Sequence, residues 1–299
     1  MVIKMENKKG RLLFLIIILF AIPFVVKDFK KEKKESKEKV TYIENLSDLN
    51  KEKLKKYKDI DLKNYYLIPN FNVDNYIKYE QYKSTHQDLS YEDIVTRVNI
   101  GIDKEAYTDT KEVKDPNDLL VLVNKYYSLP KNYKPEDLEY VDGAYGNKVP
   151  MRKVIVNDFK ELQKKAKEEI NIDLMPTTAF RGYEFQNTLY TNYVNKDGKE
   201  KADKYSARPG FSEHQTGLAI DLKNMALKDI RLTDENYNWL KDNAYKYGFI
   251  IRFPENKVDI TKYQKENWHI RYVGKEAAKI IHEKDLALEE YIDIYITKY

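Results

Sequence analysis

Histidine is scarce in this chain, four in 299 residues, and two of the four stand among carboxylates. His214 lies in Ser212-Glu-His-Gln-Thr-Gly-Leu-Ala-Ile-Asp221, and His269 closes Glu266-Asn-Trp-His269. Two imidazoles and one carboxylate make a three-ligand zinc site with a fourth position open to water, and a further carboxylate beside it can act as a base. His214, Asp221 and His269 are therefore the candidate ligands for one zinc ion. Glu266, three residues before His269, is the candidate group for moving a proton. Glu213 is the competing carboxylate: its place beside a ligand histidine would let it orient a neighbour, but a solvent-facing acid is the preferred reading. His86, in a polar turn, and His282, on a terminal helix, read as surface residues.

Such a site needs elements that bring its two stretches together. In Trp268-His-Ile-Arg-Tyr-Val273 the apolar positions 268, 270 and 272 share one face of a strand, which sets His269 and Arg271 on the other. Leu218, Ile220 and Leu222 alternate in the same way and set Asp221 opposite. If both strands belong to one sheet, His269 and Asp221 emerge together and meet His214 from the loop before. Further helices are expected. Val156, Phe159, Leu162, Ala166 and Ile170 recur by threes and fours. Residues 184–194, 234–247 and 275–283 are also helical in pattern, the second closed by Gly248 as a left-handed cap. Leu119, Leu120, Leu122 and Val123 predict one over 118–127, and Ser90 with Asp93 would cap another. Segments 172–180 and 249–253 are extended. Helices and strands mix without regular βαβ alternation, so the class is α+β, a small antiparallel sheet flanked by helices.

Composition removes several functions. Fifty-three Lys and Arg against 49 Asp and Glu give a net charge of +4, too dispersed for a nucleic-acid partner. The absence of cysteine excludes disulfides, thiolate zinc sites and thiol catalysis. At the amino terminus Lys4, Lys8, Lys9 and Arg11 precede an apolar run from Leu12 to Val26. No small-residue cleavage site follows it, so it reads as an uncleaved membrane anchor rather than a removed signal, although shorter than the roughly 20 residues of an ordinary span. The chain divides into this segment (1–26), a charged stalk and accessory region (27–115) and a catalytic domain (116–299).

Longer blocks carry a resemblance. Ser206-Ala-Arg-Pro-Gly-Phe-Ser-Glu-His-Gln-Thr-Gly-Leu-Ala-Ile-Asp-Leu222 resembles the Ser-x-His-x-x-Gly-x-Ala-x-Asp signature of VanY-like D-alanyl-D-alanine carboxypeptidases, in the LAS-type zinc peptidases with their hedgehog-like fold. Tyr247-Gly-Phe-Ile-Ile-Arg-Phe-Pro254 and Glu266-Asn-Trp-His-Ile-Arg-Tyr-Val-Gly274 resemble the downstream blocks, and the similarity runs from about residue 119 to residue 291. The resemblance implies that His214, Asp221 and His269 hold zinc and that Glu266 is the base. It further implies that Arg181 steadies the polarised carbonyl, that Gln186 and Ser212 contact the substrate's terminal carboxylate or peptide, and that Trp268 walls the pocket. The implied substrate is a peptidoglycan stem peptide or precursor ending in D-alanine. An L,D-carboxypeptidase acting on tetrapeptides, or an inactive zinc-bound wall-binding module, would share these residues. The chain departs from the family pattern at Thr178-Ala-Phe-Arg-Gly182, where Ser-Gly-Tyr-Arg-Ser is usual, at Phe253, where Tyr is common, and at Asn267, where Pro is frequent.

Overall fold

The structure, a computed structural model, describes residues 62–65, 67–225 and 232–297. The expected anchor over 1–26 and most of the stalk lie outside the described residues. Among those described, no helix is long and apolar enough to cross a membrane. The chain forms two units that divide between Val95 and Thr96. In the first are α1 (Tyr76–Thr85) and the start of α2 (Tyr91–Asn99). Tyr65 stacks on Phe71 and Tyr79, meets Tyr91 edge-on and donates its hydroxyl to Glu80. The expected cap forms: Ser90 Oγ accepts the Asp93 N–H at 3.0 Å and donates to its carboxylate at 2.8 Å.

The second unit holds the site. Two short pairs come first, the parallel β1 (Lys111–Glu112) and β2 (Tyr127–Ser128), then the antiparallel β3 (Leu138–Asp142) and β4 (Lys148–Arg152). Then follow α3 (Lys153–Ile170), β5 (Leu174–Thr178), α4 (Tyr183–Asp197), α5 (Lys199–Tyr205), β6 (Ala219–Asn224), α6 (Asp234–Asn243), β7 (Phe249–Ile251), α7 (Val258–Thr261), β8 (His269–Tyr272), α8 (Lys275–Glu283) and α9 (Leu288–Tyr291). The central sheet runs β5-β6-β8-β7 and is antiparallel throughout, as the α+β expectation required. Its core joins Ile220, Leu222, Phe249 and Ile270 to Phe159 and Leu162 of α3. The periodic face of α3 is buried at Val156, Phe159, Leu162 and Ala166, and burying a side chain of this size stabilises by about 1.5–3 kcal/mol. The helix stops at Asn171, whose left-handed backbone (φ 51°) returns its N–H to the last turn. Gly248 is obligatory after the 3₁₀ turn that extends α6: its φ is +82°, and a Cβ there would lie 2.6 Å from the Tyr272 ring.

Some expectations need correction. No helix forms over 118–127. The Leu119 and Val121 carbonyls instead accept Arg271 Nη2 at 2.9 and 3.0 Å, so a tertiary partner takes acceptors that a helix would have used. The boundary expected before Pro116 falls inside the second unit. There Arg97 pairs with Asp259 at 2.8 Å, Lys262 Nζ donates to the Ile102 carbonyl, and the Arg208 guanidinium lies 3.8 Å from the Tyr107 ring centre. His86 and His282 are half-buried, each stacked on a tyrosine, Tyr82 and Tyr245 respectively.

Candidate active site

The sheet register builds the site. Asp221 of β6 and His269 of β8 are direct partners across the antiparallel pair, which brings Asp221 Oδ1 within 3.3 Å of His269 Nδ1. His214 arrives from a buried 3₁₀ turn, Glu213–Thr216, closed by left-handed Gly217 (φ 69°). The Gly217 and Arg181 N–H groups both donate to the His214 carbonyl. The His214 ring donates from Nδ1 to the Ala179 carbonyl at 2.8 Å, which leaves Nε2 with its lone pair, 3.2 Å from Asp221 Oδ2. One ligand atom from each of His214, Asp221 and His269 lies within 4.8 Å of the others. Two atoms each about 2.1 Å from a tetrahedral metal stand about 3.4 Å apart, so the donor set fits zinc. Asp221 Oδ1 is buried without a hydrogen-bond partner, as an atom reserved for a metal would be.

Burial and neighbouring charges set the protonation of each group in the cluster. Burial alone would raise Asp221, but the imidazoles around it, with His269 charged, hold it well below the usual carboxylate range. Burial, with Arg181 nearby, lowers His214, so its ring is neutral and free to bind. Burial also opposes a charged His269, but the Asp221 and Glu213 carboxylates beside it, 3.3 and 3.6 Å away, outweigh it and push that ring up to about 9. Glu266 Oε2 stands 3.4 Å from His269 Nδ1. Burial pushes the Glu266 carboxyl up to about 7 against the pull of His269, and Asp221 adds to the rise. A base near neutrality is suited to taking a proton and later returning it.

The remaining expected residues line one cleft of about 290 Å³ with these four: Arg181, Gln186, Ser212 and Trp268, together with Phe253 and Tyr263. Arg181 follows β5 and keeps Nε buried and unpartnered. Gln186, on α4, donates Nε2 to the Ala207 carbonyl at 2.7 Å while its Oε1 is buried without a partner. Phe253 packs edge-on against His269, ring centres 4.9 Å apart, where a tyrosine would have brought a hydroxyl. A larger groove of about 640 Å³, lined by Tyr245, Phe249, Pro254 and His282, shares no lining residue with this cleft.

Glu213 was expected to face solvent, yet it is 4% exposed. Its Oε1 accepts Arg252 Nε at 2.8 Å and Arg271 Nη1 at 2.9 Å. Burial would raise this carboxyl, but the two guanidinium groups hold it well below its usual range. Arg252 is fully buried and its other nitrogens pair with both oxygens of Glu289 at 2.8 and 2.9 Å. Sequence reasoning missed this cluster. The one available signal was an apolar block interrupted by Arg252 and Arg271, since a cation in a buried strand must have a partner.

A family model described as VanY, D-alanyl-D-alanine carboxypeptidase, matches residues 148–275. The chain is 41% identical over 208 residues to the putative carboxypeptidase YodJ of Bacillus subtilis (strain 168), covering 64% of this chain and 76% of the relative. Among solved structures it is similar to the LdcB LD-carboxypeptidase, at 41% identity and TM-score 0.57, covering 64% of this chain and 92% of that one. It is also similar to a mutant of the vancomycin-resistance D,D-pentapeptidase VanY from the VanB-type cassette in complex with Zn(II), at 32% identity and TM-score 0.51, covering 60% and 99%. The match to YodJ, the VanY block and the zinc-bound neighbour converge, and the chain belongs to the VanY family of D-alanyl-D-alanine carboxypeptidases.

Proposed function

We propose that this protein is a zinc-dependent D,D-carboxypeptidase that removes the terminal D-alanine from peptidoglycan stem pentapeptides or their precursors. One observation carries the reading: the three donor atoms of His214, Asp221 and His269 gather within 4.8 Å, on a cleft that Glu266 and Arg181 also line. The three ligands form one set, which suits a single ion. Zinc, when bound, supplies a Lewis acid that polarises a carbonyl and makes water nucleophilic near neutral pH. Glu266 takes the proton of the attacking water and delivers it to the amine as the C–N bond breaks, so that a shortened peptide and free D-alanine leave. The Arg181 guanidinium stabilises the oxyanion as charge develops on the carbonyl oxygen. Gln186 gives one amide N–H to Ala207, and its buried, unpartnered oxygen suits a substrate N–H, while the Ser212 hydroxyl can serve the terminal carboxylate. The amino-terminal basic and apolar segment would hold the catalytic unit on the outer side of the cytoplasmic membrane, where the wall peptide lies.

A second reading, L,D-carboxypeptidase on tetrapeptide stems, has the likeness to LdcB behind it. Both are tested by incubating the protein with pentapeptide and with tetrapeptide and following loss of one alanine by mass spectrometry. Chelation should abolish turnover and added zinc should restore it. Release from the pentapeptide is the expected result; cleavage of the tetrapeptide alone replaces the first reading with the second.

A further inference from the structure

We propose that Glu213 is a positioning residue: it fixes the proton of His269 on Nε2 and so presents the Nδ1 lone pair to the metal. The inference rests on the zinc reading above and deepens it. His269 offers Nδ1 to Asp221 and Glu266 at 3.3 and 3.4 Å, while Nε2 turns away from the cleft toward Glu213 Oε2, 3.6 Å off. Those two atoms, His269 Nε2 and Glu213 Oε2, are both buried and neither has another hydrogen-bond partner. A lone pair on Nε2 would face a carboxylate across a dry gap. A proton there meets an acceptor instead, and a small approach closes the bond. Ligand histidines commonly bind through one ring nitrogen and donate from the other to a carboxylate, which fixes tautomer and ring orientation.

Glu213 is held from behind so that it cannot swing away. Its other oxygen accepts Arg252 Nε and Arg271 Nη1. Arg252 spends its remaining nitrogens on Glu289, and Asn124 Nδ2 donates to Glu289 as well. Arg271 spends its own on the Tyr272, Leu119 and Val121 carbonyls. Every nitrogen of both guanidinium groups is thereby engaged, and the orientation of a carboxylate beside the metal site is set by residues from distant segments of the chain. A counter-ion to two arginines needs only one oxygen; the free oxygen aimed at His269 is what a purely structural role leaves unexplained.

The test uses zinc-loaded full-length protein with nitrogen-15 histidine. In the wild type, His269 should carry zinc on Nδ1 and a slowly exchanging, hydrogen-bonded proton on Nε2. Glu213→Gln places an amide N–H before Nε2, so that proton resonance should vanish. Zinc affinity, measured by competition with a chromophoric chelator, should fall about 10- to 100-fold. Glu213→Asp keeps the charge for both arginines but withdraws the acceptor, and should show the same loss of affinity with the fold retained by circular dichroism. Zinc on Nε2 in the wild type, or unchanged affinity in both variants, overturns the proposal. Should neither variant fold, the wild-type spectrum alone decides. A wild type with the expected spectrum that releases alanine from neither peptide overturns the proposed activity and leaves the positioning role standing.

Discussion

Glu266 stands 3.4 Å from a ligand nitrogen and is 9% exposed, close enough to serve a water at the metal yet outside the three-residue donor set. Glu266→Gln should therefore lower kcat by about a hundred- to ten-thousand-fold while one zinc per chain is still bound, as read by turnover on the pentapeptide and by metal analysis. Arg181→Ala should lower kcat by about a hundred- to a thousand-fold, with zinc content and circular dichroism unchanged. Its backbone N–H, which holds the His214 carbonyl, survives the substitution. At this scale the donor set is readable from the chain because a metal restricts the residue types, and strand alternation gives His269 and Asp221 a common face. Glu213 is not readable. It sits in a one-turn 3₁₀ segment without a period, and the arginines that bury it lie 39 and 58 residues away. Whether a carboxylate faces water or a buried cation is decided by chain that arrives from elsewhere.

At the scale of elements, the parts with a strong internal period form where expected. Helix α3 follows its apolar spacing, α8 spans Lys275–Glu283, and β6 and β8 pair with Asp221 against His269. The leucines at 119, 120 and 122 mislead because the carbonyls of this stretch cap Arg271, a demand invisible to local periodicity. The same rule of distant partners makes a short C-terminal helix matter out of proportion to its four residues. Helix α9 carries Glu289, 3% exposed, which receives both outer nitrogens of Arg252. Removing one partner of a buried ion pair leaves an uncompensated charge, so Glu289→Ala should destabilise the protein by about 3–5 kcal/mol. Urea denaturation followed by tryptophan fluorescence measures it; a loss within the range of an exposed pair would show that Arg252 is adequately held by Glu213.

For the molecule as a whole, metal, proton and fold are linked through His269. Without metal its ring is pushed up to about 9 by Asp221 and Glu213 despite burial, against about 6.5 when unfolded. A group raised on folding contributes stability that is complete below its unfolded pKa and lost as pH climbs through the folded one. Glu266, raised to about 7, acts in the same direction up to that pH. Asp221 and Glu213 are held low, so their contributions are complete and flat in this window. Lys125 opposes: burial draws it down to about 8, and a base lowered on folding adds stability as pH rises beyond that value. His214, lowered by burial, adds a smaller opposing gain just above its unfolded pKa of about 6.5, so between pH 6.5 and 8 the larger loss from His269 should make the melting temperature of the chelated protein fall. Zinc replaces the proton on His269, so the loaded protein has no such proton to lose. Its stabilisation, about 2.7 kcal/mol at a hundred times Kd, should grow with pH as proton competition weakens. Calorimetry with and without chelator at the two pH values should show the gap between loaded and metal-free melting temperatures widening from 6.5 to 8. A gap that narrows, or a metal-free protein that gains stability over that interval, would mean that His269 is not charged in the metal-free fold and that the carboxylates around it do not act as its counter-ions.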